Sequence, residues 1–340
     1  MRGFLPALLA LACAPCMLGD APPVRGLHLL TPKPADVPLL VRFIREALPR
    51  EGVSTLVLEV DYHYQFKSHP EVADPDALSR EEVAAIVAAA RAAGVRVIPQ
   101  INLLGHQSWD KTTYGLLRSH PEFDETPGKY PENAGIYCRS YCPLHPGVHK
   151  IVFDLIDELA DAFGADAFHA GMDEVFILAD DDCPRCRGHL ASELYADEVR
   201  AIHDHLAQSH RQMWMWGDRL IDGAASGAGK WEGSYNQTWP AIERIPRDIV
   251  IGDWHYESAV PGAAYFAMHG FNVVSCSWRQ SDVALAQLEL IRTLRARANP
   301  EVASRAQGLL HTTWGNAAAS VQCFRAAFAR LREDAAGAPK

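Results

Sequence analysis

Short apolar runs rich in branched residues alternate with longer amphipathic stretches from about residue 24 onward. Arg25–Leu30, Thr55–Val60, Val95–Ile101 and the run ending in Ala167-Phe168 read as the first four strands. Gln212–Trp216, Ile249–Trp254, Asn272–Trp278 and Gly308–Trp314 read as four more. Between them, Val37–Leu48, Glu81–Ala93, Glu193–Gln208, Val283–Ala298 and Val321–Leu331 carry helical spacing. Ile151, Leu155, Ile156, Leu159 and Phe163 fall on one helical stripe that Gly164 ends, as Gly94 ends an earlier helix. Eight strands interleaved with helices predict an α/β fold, a single-domain (β/α)8 TIM barrel over residues 25–335. The segment Gly223–Arg247 is Gly-rich and poorly helical, the least regular unit of the series. A doubly wound open sheet would share the alternation, but no Gly-rich dinucleotide fingerprint follows the first strand.

In such a barrel the C-terminal strand ends converge on one rim, where chemistry resides. The predicted ends are polar or aromatic. Strand two exits into Asp61, Tyr62 and His63, strand three into Asn102 and Gly105-His106, and strand four into His169, Asp173 and Glu174. The later strands end at Trp216 and Asp218, at Trp254, His255 and Tyr256, at Trp278, and at Trp314 and Asn316. Four of the eight Trp thus take equivalent places on the last four strands. A lone buried Trp is ordinary packing, whereas four in register predict a pocket with aromatic walls. Aromatic walls with carboxylates suit a carbohydrate, whose C–H faces stack on rings while its hydroxyls seek polar groups.

Charge narrows the partners further. With 32 basic against 42 acidic residues, the formal net charge is -10, which argues against nucleic acid and anionic membrane surfaces. At the N-terminus, Arg2 precedes the apolar run Phe4–Leu11, and Ala10-Leu11-Ala12 fits a small-residue cleavage pattern. Residues 1–20 therefore read as an export signal, too short in its apolar part to span a bilayer, and Cys13 is a candidate for a lipid anchor. The expected location is periplasmic, extracellular or lipid-anchored. Cys138 and Cys142 form one close pair, and Cys183 and Cys186 another. In an exported chain such pairs read as disulfides, and four cysteines in two pairs also suit a structural zinc.

Asp173 and Glu174 are neighbours, and that restricts their chemistry. Ordinary glycosidases place two carboxyl groups on opposite sides of the scissile bond, roughly 5–5.5 Å or 6.5–9.5 Å apart. Adjacent residues, with Cα atoms about 3.8 Å apart, are awkwardly placed to flank it. A different division of labour suits them: Glu174 protonates the leaving oxygen while Asp173 orients a nucleophile carried by the substrate, such as a 2-acetamido group. No cofactor is required.

His169-Ala170-Gly171-Met172-Asp173-Glu174 resembles the His-x-Gly-Gly-Asp-Glu signature of the family 20 glycoside hydrolases, the β-N-acetylhexosaminidases. Arg25-Gly26-Leu27-His28 resembles that family's first-strand segment, whose Arg binds the terminal sugar, and Pro99–His106 is similar to its Pro-Glu-Ile-Asp-x-Pro-Gly-His. The compact size resembles the branch without an N-terminal α/β domain, which includes hexosaminidase D. The resemblance implies an exo-acting, retaining hydrolase that removes terminal β-linked N-acetylhexosamine with substrate assistance. It assigns Asp173 and Glu174 as catalytic and His106 and His169 as their support. It implies sugar contacts from Arg25, Trp216, Trp254, Tyr256 and Trp314, while Asp61, Asp218, Trp278 and Asn316 are candidate sugar contacts by their strand-end positions. Departures are visible: Met172 replaces the second Gly, Gln100 and Asn102 replace two carboxylates, and Asn316 stands where many relatives have Glu. A non-catalytic amino-sugar-binding barrel is the alternative. A metal-dependent hydrolase barrel using His63, His106, His169 and Asp173 is a third reading.

Overall fold

A computed structural model describes residues 22–314 and 317–337. Residues 1–20, Cys13 among them, and Asn316 lie outside the described residues. Eight parallel strands close into a barrel. They are β1 (Val24–Leu30), β2 (Thr55–Glu59), β3 (Arg96–Leu103), β4 (Ala167–Gly171), β5 (Gln212–Trp216), β6 (Val250–Trp254), β7 (Asn272–Ser277) and β8 (Ala306–His311). Each pairs in register with its sequence neighbours, and β8 closes on β1 through Arg25↔Leu309 and Leu27↔His311. The predicted strands thus correspond to the observed ones, with shifted edges. β3 runs on to Leu103, whereas β7 and β8 stop short of Trp278 and Trp314, which lie in the loops above.

The longer helices are α1 (Val37–Glu46), α2 (Arg80–Ala92), α3 (Val148–Phe163), α4 (Ala191–Gln208), α5 (Gly262–Met268), α6 (Ser281–Arg297) and α7 (Ala317–Gly337). Local chemistry sets several ends. Ser79 and Glu82 form a reciprocal capping box at the start of α2, and Gly164 stops α3 in a left-handed conformation at φ 55. Among the described residues no helix is long and apolar enough to cross a membrane.

Two cores follow from strand alternation. Outward residues such as Leu27, Leu56, Leu58, Ile101 and Phe168 pack against the helices. Inward residues, including Val57, Ile98, Trp214, Trp216, Val274 and Leu310, fill the barrel itself. Two Trp from one strand need small residues opposite them. Gly252 supplies one such place, since a Cβ there would lie 2.7 Å from the Trp216 ring.

The Gly-rich segment between β5 and β6 holds no long helix. It contains the short turns Gly223–Ser226 and Gly229–Glu232 and the 3-10 turn Trp239–Glu243. This unit breaks the strict repeat because the chain there is pinned to the rim by side chains rather than by an amphipathic helix.

Candidate active site

At the exit of β4 the backbone leaves the strand through a run of left-handed residues. Gly171 has φ 67, Met172 φ 71 and Glu174 φ 48. Consecutive strand residues point to opposite faces. The left-handed turns break that alternation and let Asp173 and Glu174 converge. The neighbouring β3 exit is folded similarly, with Leu104 at φ 64 and His106 at φ 54. Gly171 is required sterically, since a Cβ there would sit 2.6 Å from the Asn102 Cα. Met172 has no such freedom. Its left-handed conformation costs about 1–2 kcal/mol, offset by burial of its side chain and by a bond of 2.7 Å from the Tyr195 hydroxyl to its carbonyl.

The three groups picked out from sequence order meet here. His106 Nε2 lies 3.2 Å from Asp173 Oδ2 and 3.1 Å from Glu174 Oε2. All three side chains are nearly buried. Burial alone would pull the imidazole pKa down, but the charge of Asp173 and the closeness of both carboxyl groups hold it well above its ordinary value. Asp173 Oδ1 is buried with no hydrogen-bond partner among the described residues. Leaving a buried acceptor unpaired costs about 1–3 kcal/mol, so the atom is poised for a ligand N–H or O–H.

Asp218, at the end of β5, positions the pair from behind. Its Oδ2 accepts the Glu174 backbone N–H at 2.9 Å and the Arg219 Nε–H at 2.6 Å, and its Oδ1 accepts from Trp254 Nε1 at 3.3 Å. Burial and the nearby Asp173 raise its pKa to about 6, against the opposing pull of Arg219. Arg219 is fully buried. It donates to the carbonyls of Lys230, Trp231 and Gly233, each at 2.9 Å, and stacks 4.8 Å from the Phe176 ring centre. Asp218 was expected to touch substrate; in the structure its two oxygens bond the Glu174 backbone, Arg219 and Trp254.

The four Trp expected as walls lie together on one side. Trp216 is a buried floor, 5.9 Å from the Trp314 ring. Tyr256 stacks on Trp254 at 5.1 Å and meets Trp278 at 5.4 Å. Its hydroxyl accepts from Trp314 Nε1 at 2.8 Å. His169 lies in the layer below, its ring 4.4 Å from Trp216 and its Nδ1 accepting the Gly171 N–H at 3.1 Å. Burial, reinforced by His28, holds its pKa well below the ordinary value. Asp61 accepts the Asn102 N–H at 2.7 Å, and burial followed by the charge of Glu59 pushes its pKa well up.

Arg25 does not join the pocket. It shares the outward parity of Leu27, and its Nε–H bonds the Gly52 carbonyl at 2.6 Å, before β2 begins. A left-out neighbour, His28, takes the inward place, 3.1 Å from Glu59 and 4.5 Å from the Trp314 ring. Alternation could have found it, because Leu27 and Leu29 flank it on the outer face. His63 is half-exposed and pairs with Asp74 at 3.5 Å, so the four-residue metal set does not assemble. The expected cysteine set also divides. Cys138 Sγ sits 3.6 Å from the Glu174 carbonyl, while Cys142, Cys183 and Cys186 gather elsewhere with Glu125. The six described cysteines are unbridged thiols.

Several site residues carried no sequence signal. Tyr137 comes from the long β3–α3 segment, lies 5.9 Å from the His106 ring, and is pushed to high pKa by burial and by the Glu174 carboxylate beside it. The partly exposed Trp109 and Trp231 flank it at 5.0 and 4.8 Å. Glu232 holds this rim by bonding His255 Nδ1 at 2.6 Å and the Tyr256 N–H at 3.2 Å.

Arg219→Met leaves Asp218 buried without its cation, and should cost about 3–5 kcal/mol in urea unfolding. Lys should not restore it, because one ammonium cannot span Asp218 and three carbonyls. His255 gives a pH signature. Burial pulls its pKa down, but Asp253 and Glu232 overcome this and raise it to about 10, against about 6.5 when unfolded. Its contribution is therefore complete below about pH 6.5 and lost as pH climbs toward about 10. Melting temperature should fall over that window in the parent, and less steeply in His255→Gln.

Comparison with known proteins places this geometry. Residues 53–289 match the glycosyl hydrolase family 20 catalytic domain. A β-hexosaminidase of Vibrio furnissii is 26% identical over 200 residues, covering 58% of this chain and 29% of that protein. One from Akkermansia muciniphila is 31% identical over 134 residues, covering 38% of this chain and 26% of that protein. The chain thus spans less than a third of the length of these two relatives. Among solved structures, the Flavobacterium johnsoniae chitobiase superposes with TM-score 0.61 at 19% identity, covering 92% of this chain and 52% of that one. The shared barrel and the family match over most of the chain lead to one conclusion: this protein belongs to glycosyl hydrolase family 20, through its catalytic domain.

Proposed function

We propose that the chain is an exo-acting β-N-acetylhexosaminidase working by substrate assistance. The observation that carries this reading is the pairing of adjacent Asp173 and Glu174 on one imidazole, with Asp173 Oδ1 buried and unpartnered. Two carboxyl groups on one side of a bond are poorly placed to act as acid and opposing nucleophile. They are well placed for an acid beside an orienting group. Glu174 gives its proton to the leaving oxygen as the bond from that oxygen to C1 breaks. The acetamido oxygen of the same sugar forms a bond to C1, while Asp173 accepts the acetamido N–H and stabilises the positive charge that develops. Glu174 then takes a proton from water as the water oxygen attacks C1 and displaces the acetamido oxygen. Two displacements at C1 give net retention.

The surroundings support this assignment. Trp216, Trp314 and Tyr256 form an aromatic cluster at the rim, and the partly exposed Trp109 and Trp231 flank Tyr137, which lies beside Glu174. The β-hexosaminidase relatives carry the same named activity, and one solved relative from Vibrio harveyi, 18% identical with TM-score 0.61 and covering 90% of this chain, is in complex with N-acetylglucosamine.

An aryl N-acetyl-β-glucosaminide should be cleaved and the plain aryl β-glucoside should not. Glu174→Gln should lower kcat by about 10²–10⁴-fold, the usual contribution of a general acid. Equal cleavage of both glycosides by the parent would sink the assisted mechanism. Binding of the acetamido sugar without turnover would favour the sugar-binding barrel instead. The export reading rests on Arg2 and the apolar run Phe4–Leu11, with a lipid on Cys13 as its further form. Mass spectrometry of the mature N-terminus tests it: a start at or beyond Cys13 is expected, and an intact N-terminal signal in the exported fraction contradicts it.

A further inference from the structure

A second cluster of ionisable groups lies apart from the carboxylate site. Glu125, Cys142, Cys183 and Cys186 are all buried, and each offers a ligand atom within 4.8 Å of the others. Cys142 Sγ is 3.3 Å from Cys186 Sγ and 3.6 Å from Cys183 Sγ. A disulfide would need about 2.05 Å. Sulfurs on the corners of a tetrahedron around zinc, with bonds of about 2.3 Å, stand about 3.8 Å apart. The observed separations lie near that edge.

The local backbone is arranged for a thiolate centre. Cys183-Pro184-Arg185-Cys186 forms a tight turn in which the Cys186 N–H points at Cys183 Sγ, 3.3 Å away. Such a bond stabilises sulfur in its anionic form. The Cys183 N–H bonds the Asp180 carbonyl, and the Arg187 N–H bonds the Cys183 carbonyl, which fixes the turn. Glu125 completes the fourth corner. Its carboxylate faces the thiols of Cys183 and Cys186. Oε1 accepts the Asp180 N–H at 3.2 Å, and the buried Oε2 has no hydrogen-bond partner among the described residues. A carboxylate oxygen buried among thiols and left unpartnered is a ligand in search of a cation.

We propose that Glu125, Cys142, Cys183 and Cys186 hold a structural zinc ion that staples the β3–α3 segment to the β4–α4 segment. Three soft sulfurs select zinc over magnesium or calcium, which prefer oxygen. Four protein ligands close the coordination sphere, so the centre is structural. Binding displaces the thiol protons and bonds the metal to the resulting thiolates, with no oxidation. The staple spans the two segments that furnish the active-site acid and its cover. Glu125, Tyr137, Cys138 and Cys142 belong to one, and Asp173, Glu174, Cys183 and Cys186 to the other. Tyr141, next to Cys142, is anchored separately by a 2.6 Å bond to the buried Glu198.

The site stands on its own geometry and does not depend on the hydrolase reading; its test therefore reads metal rather than turnover. The full chain, purified without chelator, is analysed for zinc by plasma mass spectrometry. About one zinc per chain is expected in the parent and in Cys138→Ser, whose thiol lies outside the cluster. Cys142→Ser should retain under about a tenth of it, and Glu125→Gln should lose zinc to a chelator faster than the parent. Should Cys142→Ser fail to fold, the parent itself decides. Cobalt exchanged into it should give the thiolate charge-transfer band and visible absorption of a tetrahedral sulfur-rich site. A zinc-free parent that gives no such cobalt spectrum overturns the proposal. So does a Cys142–Cys186 or Cys183–Cys186 disulfide found by peptide mapping of the unreduced protein.

Discussion

Asp218 and Arg219 form the contact on which the active rim depends. A buried ion pair is costly unless its remaining donors and acceptors are met. Here they are met by structural elements that have to be brought together. Asp218 takes the Glu174 backbone N–H and the Trp254 indole N–H, and Arg219 takes three carbonyls from the β5–β6 loop. The pair therefore connects Glu174, the aromatic wall and the one irregular crossover of the barrel. That crossover needs no helix because the guanidinium supplies the bonds a helix would make internally.

The second organising feature is backbone conformation. Asp61, Leu104, His106, Met172 and Glu174 all have positive φ at the ends of β2, β3 and β4. Non-glycine residues adopt this region at a cost, and such residues gather where side chains must be aimed against the strand's own alternation. Two neighbouring carboxyl groups on one imidazole are the result. Met172 belongs to this set. It stands where family members have Gly, and its buried side chain and the Tyr195 bond to its carbonyl account for its tolerance. Gln100 and Asn102, in place of carboxylates, make equal sense. They form a chain of 2.8 Å bonds with Glu59 in a pocket that already contains Asp61, Asp173 and Glu174. Neutral amides there add donors without adding repulsion.

Much of this was legible along the chain. Apolar runs of strand length between amphipathic stretches determine a barrel, and the polar residues closing each run determine which end bears chemistry. Asp173, Glu174 and His106 were readable because each directly follows a strand. Trp216, Trp254, Trp278 and Trp314 were readable because they repeat at equivalent strand ends. Tyr137, Trp109 and Trp231 were not, since they arise from segments with no period to place them. Arg25 was assigned by motif position when strand parity was the better guide. The outward face of Leu27 and Leu29 carries Arg25 with it and turns His28 inward.

The cysteines draw the line between sequence and fold most clearly. Closeness along the chain pairs Cys138 with Cys142, yet a four-residue step in an irregular loop sends one thiol to the Glu174 carbonyl and the other to Cys183 and Cys186. By itself the sequence determined the barrel and the rim at which polar and aromatic residues gather, Asp173 and Glu174 among them, because these follow from local periodicity and the fixed direction of strands. The tertiary structure decided which carboxylates share an imidazole, that Asp218 meets the Glu174 backbone and Arg219, and that Glu125 lies beside three distant thiols. Those outcomes depend on side chains from separate loops meeting in space, and no spacing along the chain encodes that meeting.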